Sequence, residues 1–277
     1  MDTLVVDGMR ICYTAAGSGP PLLLIHGLGA NRSDWDSQIP EFSKHYRVIA
    51  PDLPGYGDSA KPLRLYSVPY FAQLMWQLCD RLGLEQISIV GHSMGGATAL
   101  QMAVDAPDRV ERMVIANSVP TFTPRNFEEY REFALRMGLM TLFGPRLLAT
   151  FMSRRMFPRA DQTAQRERSI ARSKHNHRHT YLVSLLALAR WSVRADLPRL
   201  RIPTLVIAAE KDYFPFEDVQ QFASELPLGE LQAFPGTRHG LPMEVPEAFN
   251  ESVLEFLLRE PAPAVRRRRR KAAVETT

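Results

Sequence analysis

The chain has 277 residues, of which 45% are hydrophobic and 23% charged, and its formal net charge is +4. This balance is typical of a globular protein and excludes fibrous and low-complexity chains. Two cysteines, Cys12 and Cys79, are too few for a disulfide framework, and we interpret both as reduced thiols of the core. The first residues show no basic segment followed by an apolar run, and no stretch reaches the roughly 20 apolar residues that span a bilayer. We therefore expect a cytoplasmic protein.

Short apolar runs alternate with helical patterns along most of the chain. Strands are predicted at residues 3–6, 11–14, 22–25, 46–50, 87–90, 113–116, 205–208 and 231–234. Short runs that are apolar on both faces and bounded by glycine or proline are typical of central strands in a parallel sheet. Helices are predicted at residues 68–82, 94–104 and 245–258, where apolar residues recur at helical spacing. The alternation of strands and helices indicates an α/β fold.

Residues 121–195 interrupt this alternation. They contain no clear strand-like run and are rich in arginine, methionine, leucine and phenylalanine. We predict a helical cap inserted into a core formed by residues 1–120 and 196–260. Most apolar side chains of the cap, including Phe143 and Trp191, are expected to form the cap's own core. Others are expected to line an acyl pocket.

Positive charge is concentrated in the cap and in the last residues of the chain. Residues 121–195 carry a net charge of +9 and residues 266–277 carry +5, whereas the rest of the chain is acidic. The basic character therefore does not predict nucleic-acid binding by the domain. We predict that residues 261–277 form a disordered, solvated tail. Two alternatives are that the cap steers an anionic substrate and that the tail contacts an anionic membrane.

The clearest chemical signal is Gly91-His92-Ser93-Met94-Gly95, between a predicted strand and a predicted helix. A serine on such a sharp turn points outward, and the flanking Gly91 and Gly95 are needed because Cβ atoms there would clash with the neighbouring strand and helix. The hydroxyl then lies at a helix N-terminus, where backbone N–H groups stabilise developing negative charge. We therefore predict that Ser93 is a nucleophile. The alternative is a glycine turn with a solvent-facing serine.

A serine hydroxyl needs a base, and His239 is the best candidate among the seven histidines. It lies in a loop between a strand-like run and the last predicted helix. The imidazole in turn needs a carboxylate, for which we favour Asp212 because it follows the carboxyl end of a predicted strand. Glu210 is the nearest rival. The position after the preceding predicted strand is Asn117, which is not an acid.

The tetrahedral intermediate of acyl transfer carries an oxyanion that needs two N–H donors. One is predicted to be the Met94 N–H, directly after Ser93. The second is assigned to Leu28 in the loop His26-Gly27-Leu28-Gly29, because glycines such as Gly27 let the backbone approach the substrate carbonyl. We expect His26 to hold this loop through hydrogen bonds.

Three alternating histidines, His175, His177 and His179, lie in the cap. In a strand, this spacing would bring all three side chains to one side. Basic residues surround them and would repel a metal ion, so we favour a solvated loop and predict no metal site.

Together these motifs resemble those of the α/β-hydrolase superfamily, specifically its capped esterase and lipase-like members. The resemblance covers roughly residues 3 to 258 and includes Pro51-Asp52-Leu53-Pro54-Gly55-Tyr56-Gly57-Asp58-Ser59, which is similar to the loop after the family's fourth strand. It implies a mostly parallel central sheet flanked by helices, with a helical cap. Haloalkane dehalogenases and epoxide hydrolases of this fold use aspartate where this chain has Ser93, so alkyl-enzyme chemistry is not expected.

The resemblance and the candidate residues predict hydrolysis of carboxylic esters with an apolar acyl part, through an acyl-enzyme on Ser93. Lactones, thioesters and C–C bonds are alternative substrates, because enzymes with the same triad cleave them. A ligand receptor with little or no turnover is the alternative from another class. The expected partner is a small acyl molecule, with no specific nucleic acid, and the mechanism needs neither a metal nor an organic cofactor.

Overall fold

A computed structural model describes residues 1–260 and contains eight strands at the predicted apolar runs. The strands are β1 (Asp2–Val6), β2 (Met9–Ala16), β3 (Pro21–Ile25), β4 (Arg47–Pro51), β5 (Ile87–His92), β6 (Val110–Ala116), β7 (Thr204–Ala209) and β8 (Gly229–Phe234). They form one sheet in the order β1-β2-β4-β3-β5-β6-β7-β8. The tail predicted at residues 261–277 lies outside the described residues.

The sheet is parallel from β4 to β8, and β2 runs antiparallel to both of its neighbours. The antiparallel pairing of β1 with β2 follows from the turn between them. Asp7 and Gly8 both have positive φ angles, 48° and 70°. Two such residues form the tight hairpin turn whose twist matches that of paired antiparallel strands.

The described residues contain ten α-helices. They are α1 (Ile39–Phe42), α2 (Val68–Arg81), α3 (Met94–Asp105), α4 (Phe127–Phe143), α5 (Pro145–Met156), α6 (Thr163–Ser173), α7 (Arg178–Ala189), α8 (Phe216–Glu225), α9 (Leu241–Glu244) and α10 (Pro246–Leu257). The three helices predicted from periodicity correspond to α2, α3 and α10. None of the helices within residues 1–260 combines the length and the apolar composition needed to cross a membrane.

Two apolar layers cover the two faces of the sheet. Along β3, Leu23 and Ile25 belong to the layer that contains α2, α3 and α8, whereas Leu22 and Leu24 belong to the layer that contains α10. Successive side chains of a strand point to opposite faces, so a strand buried on both faces is apolar throughout. This is the reason that short unbroken apolar runs identified the central strands.

Helices α4 to α7 lie between β6 and β7 and have a small apolar cluster of their own, formed by Met140, Leu148, Tyr181 and Leu185. In one respect the expectation for this region is wrong, because Phe143 is 62% exposed and not part of a core. A few helices cannot bury their whole circumference against one another. The domain boundaries at residues 121 and 195 stay a prediction.

Trp191 also departs from the expectation. It is buried in the layer formed by α2, α3 and α8 and not in the cluster of the cap, and its indole N–H donates to Gln101 Oε1 at 2.8 Å. A buried indole N–H needs such an acceptor. Trp191 therefore anchors the end of the helical region to α3.

Candidate active site

Ser93 forms the junction between β5 and α3. Its φ of 55° lies in the region that residues with side chains rarely adopt, and the side chain is almost fully buried. An added Cβ at Gly91 would collide with the backbone of Gly95, and one at Gly95 would collide with the carbonyl of Ile25. The turn can therefore form only with glycines on both sides, as the sequence pattern predicts. The strained serine is held by its surroundings, which is typical of functional sites.

His239 lies beside this serine, in the loop between β8 and α9. Its Nε2 atom is 3.1 Å from Ser93 Oγ, and its Nδ1 atom is 2.6 Å from Asp212 Oδ1. The carboxylate can only accept, so Nδ1 carries the proton and Nε2 has a lone pair for the serine O–H. The three side chains form a continuous line of hydrogen bonds, although they are far apart along the chain.

Glu210, the rival of Asp212, and Asn117, after the preceding strand, have other contacts. Glu210 accepts a hydrogen bond from the Gly236 N–H at 2.7 Å and so belongs to the turn that precedes the histidine loop. Asn117 donates from Nδ2 to the carbonyl of Arg238 at 3.2 Å. Neither of these side chains is hydrogen-bonded to the His239 ring.

The loop after β3 brings its backbone against Ser93. An added Cβ at Gly27 would lie 3.2 Å from Ser93 Cβ, tighter than most real contacts. The N–H groups of Leu28 and Met94, the predicted oxyanion donors, have no protein acceptor within residues 1–260. Met94 follows Ser93 along the chain, and Leu28 lies in the loop that packs against Ser93. Both amides are free to donate to a bound group.

His26 links this loop to the one after β4. Its Nδ1 lies 2.8 Å from the carbonyl of Gly27, and its Nε2 accepts from the Leu53 N–H at 3.0 Å. The Leu53 donor fixes the tautomer with the proton on Nδ1. Burial lowers the pKa of His26 and keeps the ring neutral. Its contacts are those of a residue that positions backbone.

His92 has a supporting position that the sequence did not reveal. Its Nε2 donates to the carbonyl of His239 at 2.8 Å, and the two rings lie 5.0 Å apart. Burial and the neighbouring His239 lower the pKa of His92 to about 3. The ring is therefore neutral and fixes the backbone of the histidine loop. The G-x-S-x-G pattern leaves its second position open, so no local signal could have assigned this role.

The sequence also did not reveal a cluster of charged and aromatic side chains above His239. The Tyr213 ring lies 4.5 Å from the His239 ring. The guanidinium carbons of Arg136 and Arg155 lie 4.7 and 5.0 Å from the centre of the Tyr213 ring. Glu132 pairs with both arginines. We call Arg136, Arg155, Glu132 and Tyr213 the arginine cluster. In the sequence these arginines were part of an unspecific basic region.

Two cavities meet at Ser93 and His239. The larger has a volume of about 340 Å³ and the smaller about 80 Å³. The smaller one is lined by both apolar and polar side chains, and the methionines among its lining residues are Met140, Met152, Met156 and Met243. Methionine side chains adapt to ligands of varied shape. The larger cavity is lined by apolar residues and by the charged groups of α4, including Glu132 and Arg136.

The alternating histidines of the cap are not arranged as a metal site. His179 lies within α7 and its Nε2 is 3.1 Å from the carbonyl of Arg64, whereas His175 and His177 precede the helix. Within residues 1–260, no group of three or more histidine, cysteine or acidic side chains is arranged to hold a metal ion.

Known proteins similar to this chain include an uncharacterized protein of Mycobacterium tuberculosis, 42% identical over 113 residues. That alignment covers 41% of this chain and 33% of the relative, so the chain spans only about a third of the first curated relatives it matches. A putative carbamate hydrolase of Stutzerimonas stutzeri is 30% identical over 86% of this chain and 91% of its own length.

Among solved structures, an esterase from Thermogutta terrifontis with bound malate is 26% identical, with a TM-score of 0.82. The match covers 92% of this chain and 97% of the esterase. The model of the alpha/beta hydrolase fold family matches residues 20–246. With the mostly parallel eight-stranded sheet and the serine turn at the end of β5, this match shows that the chain belongs to the α/β hydrolase fold family.

Proposed function

We propose that the protein is a serine hydrolase that cleaves carboxylic esters with an apolar acyl part. The observation that carries this proposal is the position of the His239 ring, whose two nitrogens contact Ser93 Oγ and Asp212 Oδ1 at 3.1 and 2.6 Å. A serine becomes a nucleophile when a base takes its proton and a carboxylate orients that base. The methionine side chains that line the smaller cavity beside Ser93 have the chemistry of a site for the acyl chain.

In the proposed reaction, Ser93 Oγ attacks the acyl carbonyl while its proton passes to His239 Nε2. Asp212 stabilises the imidazolium, and the N–H groups of Leu28 and Met94 stabilise the oxyanion. The ester C–O bond then breaks, and the leaving alcohol takes the proton from His239. Water attacks the acyl-enzyme with His239 as base, and the released products are the acid and free Ser93. All proton transfers use these side chains and water.

Other acyl substrates fit the same groups. Lactones, thioesters and the C–C bonds of β-diketones react through the same serine chemistry, and the Stutzerimonas relative is described as a putative carbamate hydrolase. The esterase proposal is preferred because methionine side chains line a cavity beside the serine and because the similar Thermogutta protein is an esterase. A receptor without turnover would need no base-activated serine.

A fluorophosphonate probe tests whether Ser93 is activated. We expect covalent labelling of the wild-type protein and none of Ser93→Ala, with both proteins folded by circular dichroism. A panel containing a p-nitrophenyl ester, a lactone, a thioester, a carbamate and a β-diketone then ranks the substrate classes by kcat/KM. Ester hydrolysis that persists in Ser93→Ala would refute the proposal. Absence of labelling in the wild type would favour a receptor.

A further inference from the structure

The arginine cluster places two cations against one carboxylate at the wall of the catalytic cavity. Arg136 Nε donates to Glu132 Oε1 at 2.7 Å, and Arg155 Nη1 lies 2.9 and 2.7 Å from the two Glu132 oxygens. Glu132 can neutralise only one of the two guanidinium groups. The cluster therefore keeps one positive charge that it does not itself compensate.

The arginine cluster also has more donors than acceptors. Each guanidinium group carries five N–H donors, and within residues 1–260 the only close acceptors are Glu132 and, for Arg136, the hydroxyl of Tyr181, so several donors remain without an acceptor in this part of the chain. The hydroxyl of Tyr213 is buried, and it has no hydrogen-bond partner in the same part of the chain. Buried polar groups are normally paired, so this surplus of donors points to an acceptor supplied by a ligand.

The other charged groups around the larger cavity are paired among themselves. Arg125 contacts Glu129 and Asp218, Arg131 contacts Glu128, and Arg194 contacts Glu225. The Asp212 carboxylate precedes Tyr213 directly, and it is bonded to His239 and to the Tyr213 N–H. Among the charged groups of residues 1–260 that line the larger cavity, only the arginine cluster combines surplus charge with a position beside the His239 ring.

The cluster is half-buried, with side-chain exposures of 16% for Arg136 and 36% for Arg155. Charge-assisted hydrogen bonds are stronger in such surroundings than in open water. A guanidinium group matches the two oxygens of a carboxylate in a planar, bidentate geometry. The Tyr213 ring packs against both guanidinium groups and against the His239 ring. It therefore lies between the two arginines and the proposed catalytic histidine.

We infer that Arg136, Arg155 and Tyr213 bind a carboxylate group of the substrate, so that the preferred substrates are esters that carry a second, anionic carboxylate. This inference rests on the proposed function, because it assigns the substrate class of the same site. The smaller, methionine-lined cavity takes the apolar portion of the substrate. The larger cavity takes the portion that ends in the carboxylate.

The test compares two esters that differ only in this charge. They are 3-(butanoyloxy)benzoate, which has an apolar acyl part and a carboxylate on the leaving phenol, and its methyl ester, which is neutral and of almost the same shape. We expect kcat/KM of the wild type to be at least about 10-fold higher for the anionic ester, as charged hydrogen bonds of this kind contribute. Arg155→Met should bring the ratio of the two kcat/KM values close to one.

Arg154→Met is the matched control. Arg154 is adjacent in α5, is exposed and lines neither cavity, so its replacement removes the same charge from the protein and should leave the ratio unchanged. An equal loss of the ratio in both variants would show general attraction by the basic cap and would overturn the inference.

Glu132→Gln should raise the ratio of kcat/KM for the anionic ester to that for the methyl ester, whereas Arg155→Met lowers it. The Glu132 substitution frees both guanidinium groups from their carboxylate, and we expect the KM for the anionic ester to fall several-fold while the KM for the methyl ester does not. If the cluster served only to hold α4 and α5 together, loss of Glu132 would instead lower kcat/KM for both esters equally. That result would overturn the inference.

Binding measured without turnover separates this inference from the proposed function. Calorimetric titration of Ser93→Ala with glutarate should show binding that Arg155→Met in the same background weakens at least about 10-fold. Glutarate binding without any ester hydrolysis would contradict the proposed function and retain the carboxylate site. Turnover of both esters at equal kcat/KM by the wild type, with no glutarate binding, would retain the hydrolase and overturn the carboxylate site.

Discussion

The proposed catalytic groups and the two arginines of the arginine cluster lie around the same larger cavity but arise in different ways. Ser93, Asp212 and His239 lie in turns at the carboxyl ends of strands, where backbone geometry leaves few choices of residue. Arg136 and Arg155 lie within helices α4 and α5, where almost any polar residue is compatible with the backbone. The strand side therefore has local sequence signatures, whereas the helical side acquires its specificity from how its helices pack.

The largest effect is expected from a substitution among the residues at the strand ends, which leaves the cap helices unchanged. Asp212→Asn should lower kcat by roughly 10⁴-fold while the protein remains folded, because the amide favours the wrong tautomer of His239. Glu210→Gln is the control, since that carboxylate contacts only the Gly236 N–H, and it should change kcat no more than a few-fold. Steady-state kinetics on a p-nitrophenyl ester measure both. Comparable losses in the two variants would show that the acid has been assigned to the wrong residue.

Two glycine-to-alanine substitutions compare how well the serine turn and helix α4 accept an added side chain. At Gly95 the new Cβ would collide with the carbonyl of Ile25, and we expect the free energy of unfolding to fall by more than about 3 kcal/mol. Gly138 lies within α4 with open space around it, so alanine there should raise the stability by about 0.5–1 kcal/mol. Urea unfolding measures both changes. A stable Gly95→Ala protein with normal activity would contradict the account of the serine turn.

A third prediction concerns a contact between the sheet domain and the cap helices. Asp34, in the loop after β3, pairs with Arg172 of α6 at 3.1 Å, and burial raises the pKa of Asp34 to about 6 despite this partner. The folded state thus holds a proton that the unfolded state releases near pH 4. Stability should therefore fall as the pH rises from about 4 to about 6, by up to about 3 kcal/mol from this group.

Asp34→Asn should remove this fall, whereas Asp36→Asn should keep most of it because that side chain is 65% exposed. Chemical unfolding at a series of pH values between 4 and 7 gives the slopes. Identical slopes for wild type and Asp34→Asn would show that Asp34 has no raised pKa.

The smallest effect is expected at an exposed ion pair of the cap. Arg131 and Glu128 form an exposed ion pair, with side chains 65% and 66% accessible. Exposed pairs contribute little, so Arg131→Met should change the free energy of unfolding by less than about 0.5 kcal/mol. A loss of several kcal/mol in thermal or urea unfolding would mean that the charges of α4 stabilise the cap far more than their exposure indicates.

The sequence by itself determined the sheet and its serine turn. Central strands such as β3 are buried on both faces and must be apolar throughout, and the turn at Ser93 can be built only with glycine at positions 91 and 95. These are short-range steric requirements, so they leave a pattern in a few consecutive residues. They also explain why the sequence alone resembles the α/β hydrolase fold family.

Only the tertiary structure decided which side chains of the cap face the cavities. The sequence predicted Phe143 in a core and left Arg136 and Arg155 in an unspecific basic region, but Phe143 is exposed and both arginines border the His239 environment. The rotation of a helix about its axis is set by packing against distant segments. When a helix is apolar on several sides, its own periodicity does not select one face, and contacts made across the chain do.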